Sequence, residues 1–247
     1  MNAQNNQSPF WVVIPAAGVG SRMQVDTPKQ YLVLQGKTIL EHTVDCFRDL
    51  EGLAGIVIVV GSRDTYWTDI HQRLLSSLEG ASISLHYTFG GDERAESVRC
   101  GLKFLTEKVN VSPNHWVMVH DAARPCVKLS NLYDLLAVRS DENYNGGILA
   151  TPVRDTLKLS TANNIIDSTQ PREALWQAQT PQLFKLGELY QGLRTALENN
   201  QTVTDEASVI ESVLGNVKLV EGSSDNIKLT SPADLAIIDF LLSRGEG

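Results

Sequence analysis

The sequence predicts an α/β fold: a doubly wound, mostly parallel sheet between two layers of helices, with a β-hairpin arm projecting from it. Three observations carry this. Short, wholly apolar runs alternate with helical segments, the pattern of parallel strands covered on both faces. The first run ends in a glycine-rich turn, "AAGVGSR", at the place where such sheets bind ligands. One stretch, about 154–179, breaks the alternation with strand-like pieces around the turn-prone "TANN". The expectation is therefore a Rossmann-like α/β/α sandwich forming one domain over 10–247, with the arm at about 154–179.

The elements follow in chain order. Met1–Ser8 is polar and rich in Asn and Gln, so residues 1–9 read as a disordered tail without signal or transit character. Strands are expected at Trp11–Ile14, Ile56–Val60, Trp116–Val119 and Ile148–Val153. In "KTILEHTVDCF", Thr38 and Glu41 form a capping box ahead of Ile39, Leu40, Val44 and Phe47 at helical spacing. "GGDERAESV" reads as a turn into a helix, with Asp92 able to cap it. The arm consists of "TLKLS" and "NIIDSTQ" around its turn. Thr204 and Asp205 read as caps of a helix start, and Ser231 followed by Pro232 starts the final helix.

Composition limits the function. The chain has 247 residues, 42% of them hydrophobic, enough for a sizeable core. A net charge of -8 argues against nucleic acid as the main partner. No apolar run reaches membrane-spanning length. Three well-separated cysteines, Cys46, Cys100 and Cys126, form no C-x-x-C pair, which points to buried thiols in a reducing cytoplasm.

The opening loop fits neither common phosphate-binding design. A dinucleotide fingerprint needs Gly or Ala where Met23 stands, and a Walker loop needs Gly-Lys in place of Met23 and Gln24. What remains is a strand ending in Ala16, Ala17, Gly18 and Gly20, small enough for backbone N–H groups to approach phosphate, with Arg22 and Lys29 supplying charge. A guanidinium and an ammonium around a triphosphate suit nucleotidyl transfer. A solvated Arg and Lys on a tight turn would look the same, so this loop leaves both readings open.

"GVGSRM" with "PKQ", then "GGDERAESV", "VHDAARP", "PVRDTLK", "LWQAQTPQ", "TDEAS" and "EGSSDNIKLTSPADL" follow in order. Together they resemble the 2-C-methyl-D-erythritol 4-phosphate cytidylyltransferases of isoprenoid precursor synthesis, from about Trp11 to Leu242. The resemblance implies that CTP and methylerythritol phosphate are joined with release of pyrophosphate, magnesium assisting. Arg22, Lys29 and Lys228 would stabilise the transition state. Ala16, Ala17, Gly18, Gly91, Asp92, Ser97, Asp121 and Ala122 would hold the nucleotide. Asp121, Arg124, Thr156, Arg172 and Thr180 would bind the acceptor, Arg124 doing this or ordering the strand end, with Arg172 serving the neighbouring subunit of a homodimer with shared sites. Asp121 and Asp225 are the two metal candidates. Arg94 and Glu96 stand either near the base or as plain helix-face charges, and His120 reads as a packed histidine. The nearest alternative is transfer to another polyol phosphate, such as ribitol phosphate.

Overall fold

The computed structural model describes residues 8–18 and 27–245, so most of the expected tail, residues 1–7, lies outside it. Among these residues seven strands form the central sheet, in the order β11 (Val217–Glu221), β7 (Gly146–Pro152), β10 (Trp176–Lys185), β6 (Trp116–Val119), β1 (Phe10–Pro15), β4 (Leu53–Val60) and β5 (Ser84–Phe89). β1 runs parallel to β4 and β6, β4 to β5, and β11 to β7. β10 is antiparallel to both its neighbours, so it alone is reversed among the seven, and β2 (Val33–Leu34) pairs with β3 (Lys37–Thr38) outside this sheet.

The unbroken apolar runs have a direct cause. Side chains alternate across a strand, and both faces here are covered. Val12 and Ile14 pack with α1 (Ile39–Asp45), α2 (Trp67–Ser77) and α4 (Leu129–Leu136) through Leu40, Leu74 and Leu132. Trp11 and Val13 pack on the opposite face with α3 (Arg94–Glu107), α5 (Leu186–Glu198) and α6 (Glu206–Val213) through Val98, Leu102, Leu189 and Ile210. A third cluster seats α7 (Pro232–Ser243) by Ile238 against Ile39, Ala123 and Leu229.

The four expected strands are present: β1 and β4 run longer than expected, β6 has the expected bounds, and β7 begins two residues earlier and ends one residue short, at Pro152. β5 and β11 were not legible as apolar runs because each lies at a sheet edge and is half-buried, so polar and apolar residues mix along it. The arm contains the expected hairpin: β8 (Leu157–Ser160) pairs antiparallel with β9 (Ile166–Gln170), across a turn in which Asn164 is left-handed at φ 59°. Its expected end at residue 179 falls inside β10, which continues from the arm into the sheet across an irregularity between Ala178 and Gln182.

Capping agrees in part. The Thr38–Glu41 box forms. Asp205 caps α6 by accepting from the Ser208 N–H at 3.0 Å, whereas the Thr204 hydroxyl turns toward Asp205. At α7 the Asp234 carboxylate reaches back to the N–H groups of Ser231 and Thr230, each at 2.8 Å. No helix among the described residues is long and apolar enough to cross a membrane.

Candidate active site

From β1 the chain winds to β4 and β5 on one side, then crosses through α3 to β6 on the other side of β1. Strand order therefore reverses between β1 and β6, and the crevice beyond their carboxyl ends is where ligands of such sheets bind. A cavity of about 330 Å³ opens there. Ala16, Ala17 and Gly18 follow β1; Gly91 and Asp92 follow β5; Asp121 and Ala122 follow β6. All line the cavity with Ser97, Lys29, Arg94 and Lys228. Arg22 lies outside the described residues.

Local packing explains why these groups converge. Gln30 is buried, and its amide donates to the carbonyls of Ala16 at 2.7 Å and Gly18 at 3.0 Å, fixing the loop after β1. Its neighbour Tyr31 is anchored through its hydroxyl to Asp64 at 2.7 Å, which leaves Lys29, first in that 3₁₀ turn, facing the cavity. Lys29 Nζ donates to the Leu229 carbonyl at 3.0 Å, next to Lys228. Two ammonium groups from opposite ends of the chain thus both line the cavity.

On the opposite wall Gly90 is required by close approach: a Cβ there would stand 2.4 Å from Ser97 Oγ and 3.0 Å from the Ala17 Cβ. Ser97 Oγ donates to the Gly91 carbonyl at 3.3 Å. The expected cap by Asp92 is corrected, since Glu93 is the N-cap of α3 and makes no side-chain cap bond. Glu96 instead folds back over Gly91 and accepts from the Asp92 N–H at 3.2 Å. Glu96 therefore shapes the turn.

A ladder of charges runs along the cavity floor. Asp121 Oδ1 accepts from Arg94 Nε at 2.9 Å, and its Oδ2 lies 2.8 Å from Lys228 Nζ and 3.5 Å from Arg124 Nε. Arg94 turns its terminal nitrogens to Glu206, at 2.7 and 3.1 Å. Arg94 is thus no plain helix-face charge. Burial by itself would raise the Asp121 carboxyl, but Arg94, then Lys228 and Arg124, hold it well below the ordinary carboxylate range. Burial likewise opposes the Arg94 charge, and Glu206 and Asp121 override it and raise its pKa.

Beneath the ladder, Thr180 Oγ1 accepts from the Asp121 N–H at 3.0 Å and lies 3.1 Å from His120 Nδ1. His120 Nε2 is 3.0 Å from the Arg124 carbonyl. One tautomer satisfies all three contacts: Nε2–H donates to the carbonyl and Nδ1 accepts from the threonine hydroxyl. Burial lowers the His120 pKa from 6.5 to about 4, keeping it neutral. Thr180 is buried and its hydroxyl is used within this chain. Arg124 donates to the Asn226 carbonyl at 2.6 Å and orders the strand end.

The donor set is not that of a resident metal. Both Asp121 oxygens are engaged by cations, and Asp225 lines a different cavity, 2.8 Å from Lys128. Among the described residues no group of three or more His, Cys, Asp or Glu is placed to hold a metal ion.

The family model for IspD, 2-C-methyl-D-erythritol 4-phosphate cytidylyltransferase, matches residues 10–244. The chain belongs to this cytidylyltransferase family. It is similar to the Vibrio parahaemolyticus protein of that name, 45% identical over 246 residues that cover 98% of this chain and 99% of the other. A Pseudomonas putida relative of the same name is 46% identical and covers 94% of each chain. The crystal structure of the Francisella tularensis cytidylyltransferase aligns at TM-score 0.75 with 36% identity, covering 95% of this chain and all of that one.

For a cytidylyltransferase of this family the single chain leaves part of the expected set outside the cavity. Thr156 and Arg172 are exposed on the arm, and an Arg172 terminal nitrogen donates to the Arg154 carbonyl. Sequence reasoning missed Gln30 and Glu206. Glu206 stood in the recognised "TDEAS" motif, but an acid in a helix's first turn is already explained by the helix dipole.

Proposed function

We propose that this chain transfers CMP from CTP to 2-C-methyl-D-erythritol 4-phosphate, giving 4-diphosphocytidyl-2-C-methyl-D-erythritol and pyrophosphate in non-mevalonate isoprenoid precursor synthesis. The observation that carries the reading is that Lys29 and Lys228 both line a cavity bordered by small-residue turns. In the reaction a phosphate oxygen of the acceptor bonds to the α-phosphorus of CTP as the bond to the pyrophosphate oxygen breaks. The nucleophile is already anionic, so no general base is needed. The barrier lies in bringing polyanions together, and cations are the catalytic device.

In this reading Lys29 and Arg22 stabilise the leaving pyrophosphate, and Lys228 steadies the α-phosphate and the incoming oxygen. Gly18 lets the backbone close on phosphate, and Ala16, Ala17, Gly91, Asp92, Ser97 and Ala122 form a slot for cytidine. Asp121 meets the acceptor hydroxyls, Arg124 and Thr180 brace it, and Thr156 and Arg172 reach the acceptor from the arm of a second subunit. Exposed Leu159, Ile165 and Ile166 on the arm support such a homodimer. Magnesium enters with CTP, bound by triphosphate oxygens and water. The enzyme works in the cytoplasm, in keeping with its three free cysteines.

The test is pyrophosphate release by the purified protein with CTP, magnesium and either methylerythritol phosphate or ribitol 5-phosphate. Release with the first and at most a trace with the second is expected; preference for ribitol phosphate overturns the acceptor assignment.

A further inference from the structure

Arg94 faces two carboxylates from distant parts of the chain, and its bonds to them differ in kind. It offers its two terminal nitrogens to Glu206 and only Nε to Asp121. A guanidinium prefers to grip a carboxylate with two parallel bonds. Facing Asp121 without a competitor, Arg94 would take both of its oxygens, including the one that holds Lys228 at 2.8 Å. Glu206 occupies the fork and so prevents this.

We infer that Glu206 is a positioning residue for the transfer reaction, fixing Arg94 so that Asp121 keeps one oxygen for Lys228. Arg94, Asp121 and Lys228 line the cavity, and Glu206 stands behind them with no exposed surface. Its carboxylate is held by Arg94 and favoured by its place in the helix. It lies in the first turn of α6, where the helix dipole favours an anion. The start of that helix is itself braced by Gln182 of β10, whose amide accepts from the Ala207 N–H at 2.8 Å and donates to Asp205 at 2.9 Å. The support of the Lys228 ammonium therefore runs from the sheet through α6 and α3 to the cavity floor.

This rests on the proposed function for its kinetic readout, so the experiment carries a second readout that does not. In full-length Glu206→Gln, which keeps shape and loses charge, kcat is expected to fall by about 30-fold or more with KM for CTP within about twofold. Glu206→Asp, which keeps the charge one methylene short, is expected to recover at least fivefold of that loss. The Arg94 Nε–H signal in nitrogen-15 NMR is expected to be protected from exchange in the wild type and in Glu206→Asp, and lost in Glu206→Gln. A folded Glu206→Gln with wild-type kcat, a loss confined to KM, or an unchanged Arg94 signal would overturn the inference. If Glu206→Gln does not fold, Glu206→Asp decides alone: kcat reduced three- to tenfold at unchanged KM supports it, and wild-type kcat overturns it. Failure of both to fold also overturns it, since Glu206 would then be a folding residue. A wild-type protein that transfers no cytidylyl group would refute the function, while the NMR signal would still report whether Glu206 fixes Arg94.

Discussion

Lys228 Nζ and Asp121 Oδ2 lie 2.8 Å apart, with the Asp121 side chain 8% exposed and Arg94 and Arg124 on its remaining sides. The carboxylate is the common anion of three cations. Replacing Asp121 by Asn removes it and leaves Arg94, Arg124 and Lys228 to repel one another. Breaking a buried network from one side costs about 3 to 5 kcal/mol. Urea unfolding of Asp121→Asn is expected to show that loss at unchanged m value; stability within about 1 kcal/mol of wild type would mean that water already screens the ladder.

Lys29 is bound to a backbone carbonyl beside Lys228, so its ammonium is in place before substrate arrives. Preorganised charge acts on the transition state more than on the ground state. Lys29→Ala is expected to lose about 3 kcal/mol of transition-state stabilisation, about a hundredfold in kcat. Steady-state kinetics with CTP varied will test it: unchanged kcat with a raised KM assigns Lys29 to ground-state binding instead.

His120 gives the chain a defined pH response. Its folded pKa, about 4, lies below the value of 6.5 for the unfolded chain, so between those limits the unfolded state binds more protons. Its contribution is complete above about pH 6.5 and is lost as pH falls toward 4, amounting to about 3 kcal/mol. Protonation would also place an N–H donor against the Thr180 hydroxyl that now donates to Nδ1. Stability measured from pH 4 to 7 should rise with pH in the wild type, and His120→Gln should flatten that rise. An equal slope in both proteins would place the response elsewhere.

The parts of this molecule legible in the sequence are those with local causes. β1, β4, β6 and β7 are covered on both faces and read as apolar runs, and the small residues after β1 and Asp121 after β6 fall at strand ends where a site is expected. Asp92 misled because any Asp before a helix reads as a cap, whereas here Glu96 takes the Asp92 N–H from four residues on. Glu206 was illegible for another reason: its partner is 112 residues away, and no pattern along the chain encodes that pairing. Gln30 carries no charge or periodicity, and its role appears once the Ala16 and Gly18 carbonyls turn toward it.

Arg172 is exposed on the arm, away from the cavity of its own chain. If it serves a second subunit, mixing inactive Lys29→Ala and Arg172→Ala proteins should restore activity. In a mixed dimer the Arg172→Ala subunit keeps its Lys29 and borrows Arg172 from its partner. Random pairing makes about half of the dimers mixed with one complete site each, so activity should return to about a quarter of wild type. No recovery, with mixed dimers present, would place Arg172 in its own chain's site or outside any site.

In the proposed function this cavity moves the α-phosphorus of CTP onto a phosphate monoester. Following CTP labelled at that phosphorus, with methylerythritol phosphate and magnesium, tests it most directly. The label is expected to pass into a diphosphate ester carrying both cytidine and the polyol, with one pyrophosphate released per product and none without acceptor. Label appearing as free CMP, or pyrophosphate released equally without acceptor, would contradict it.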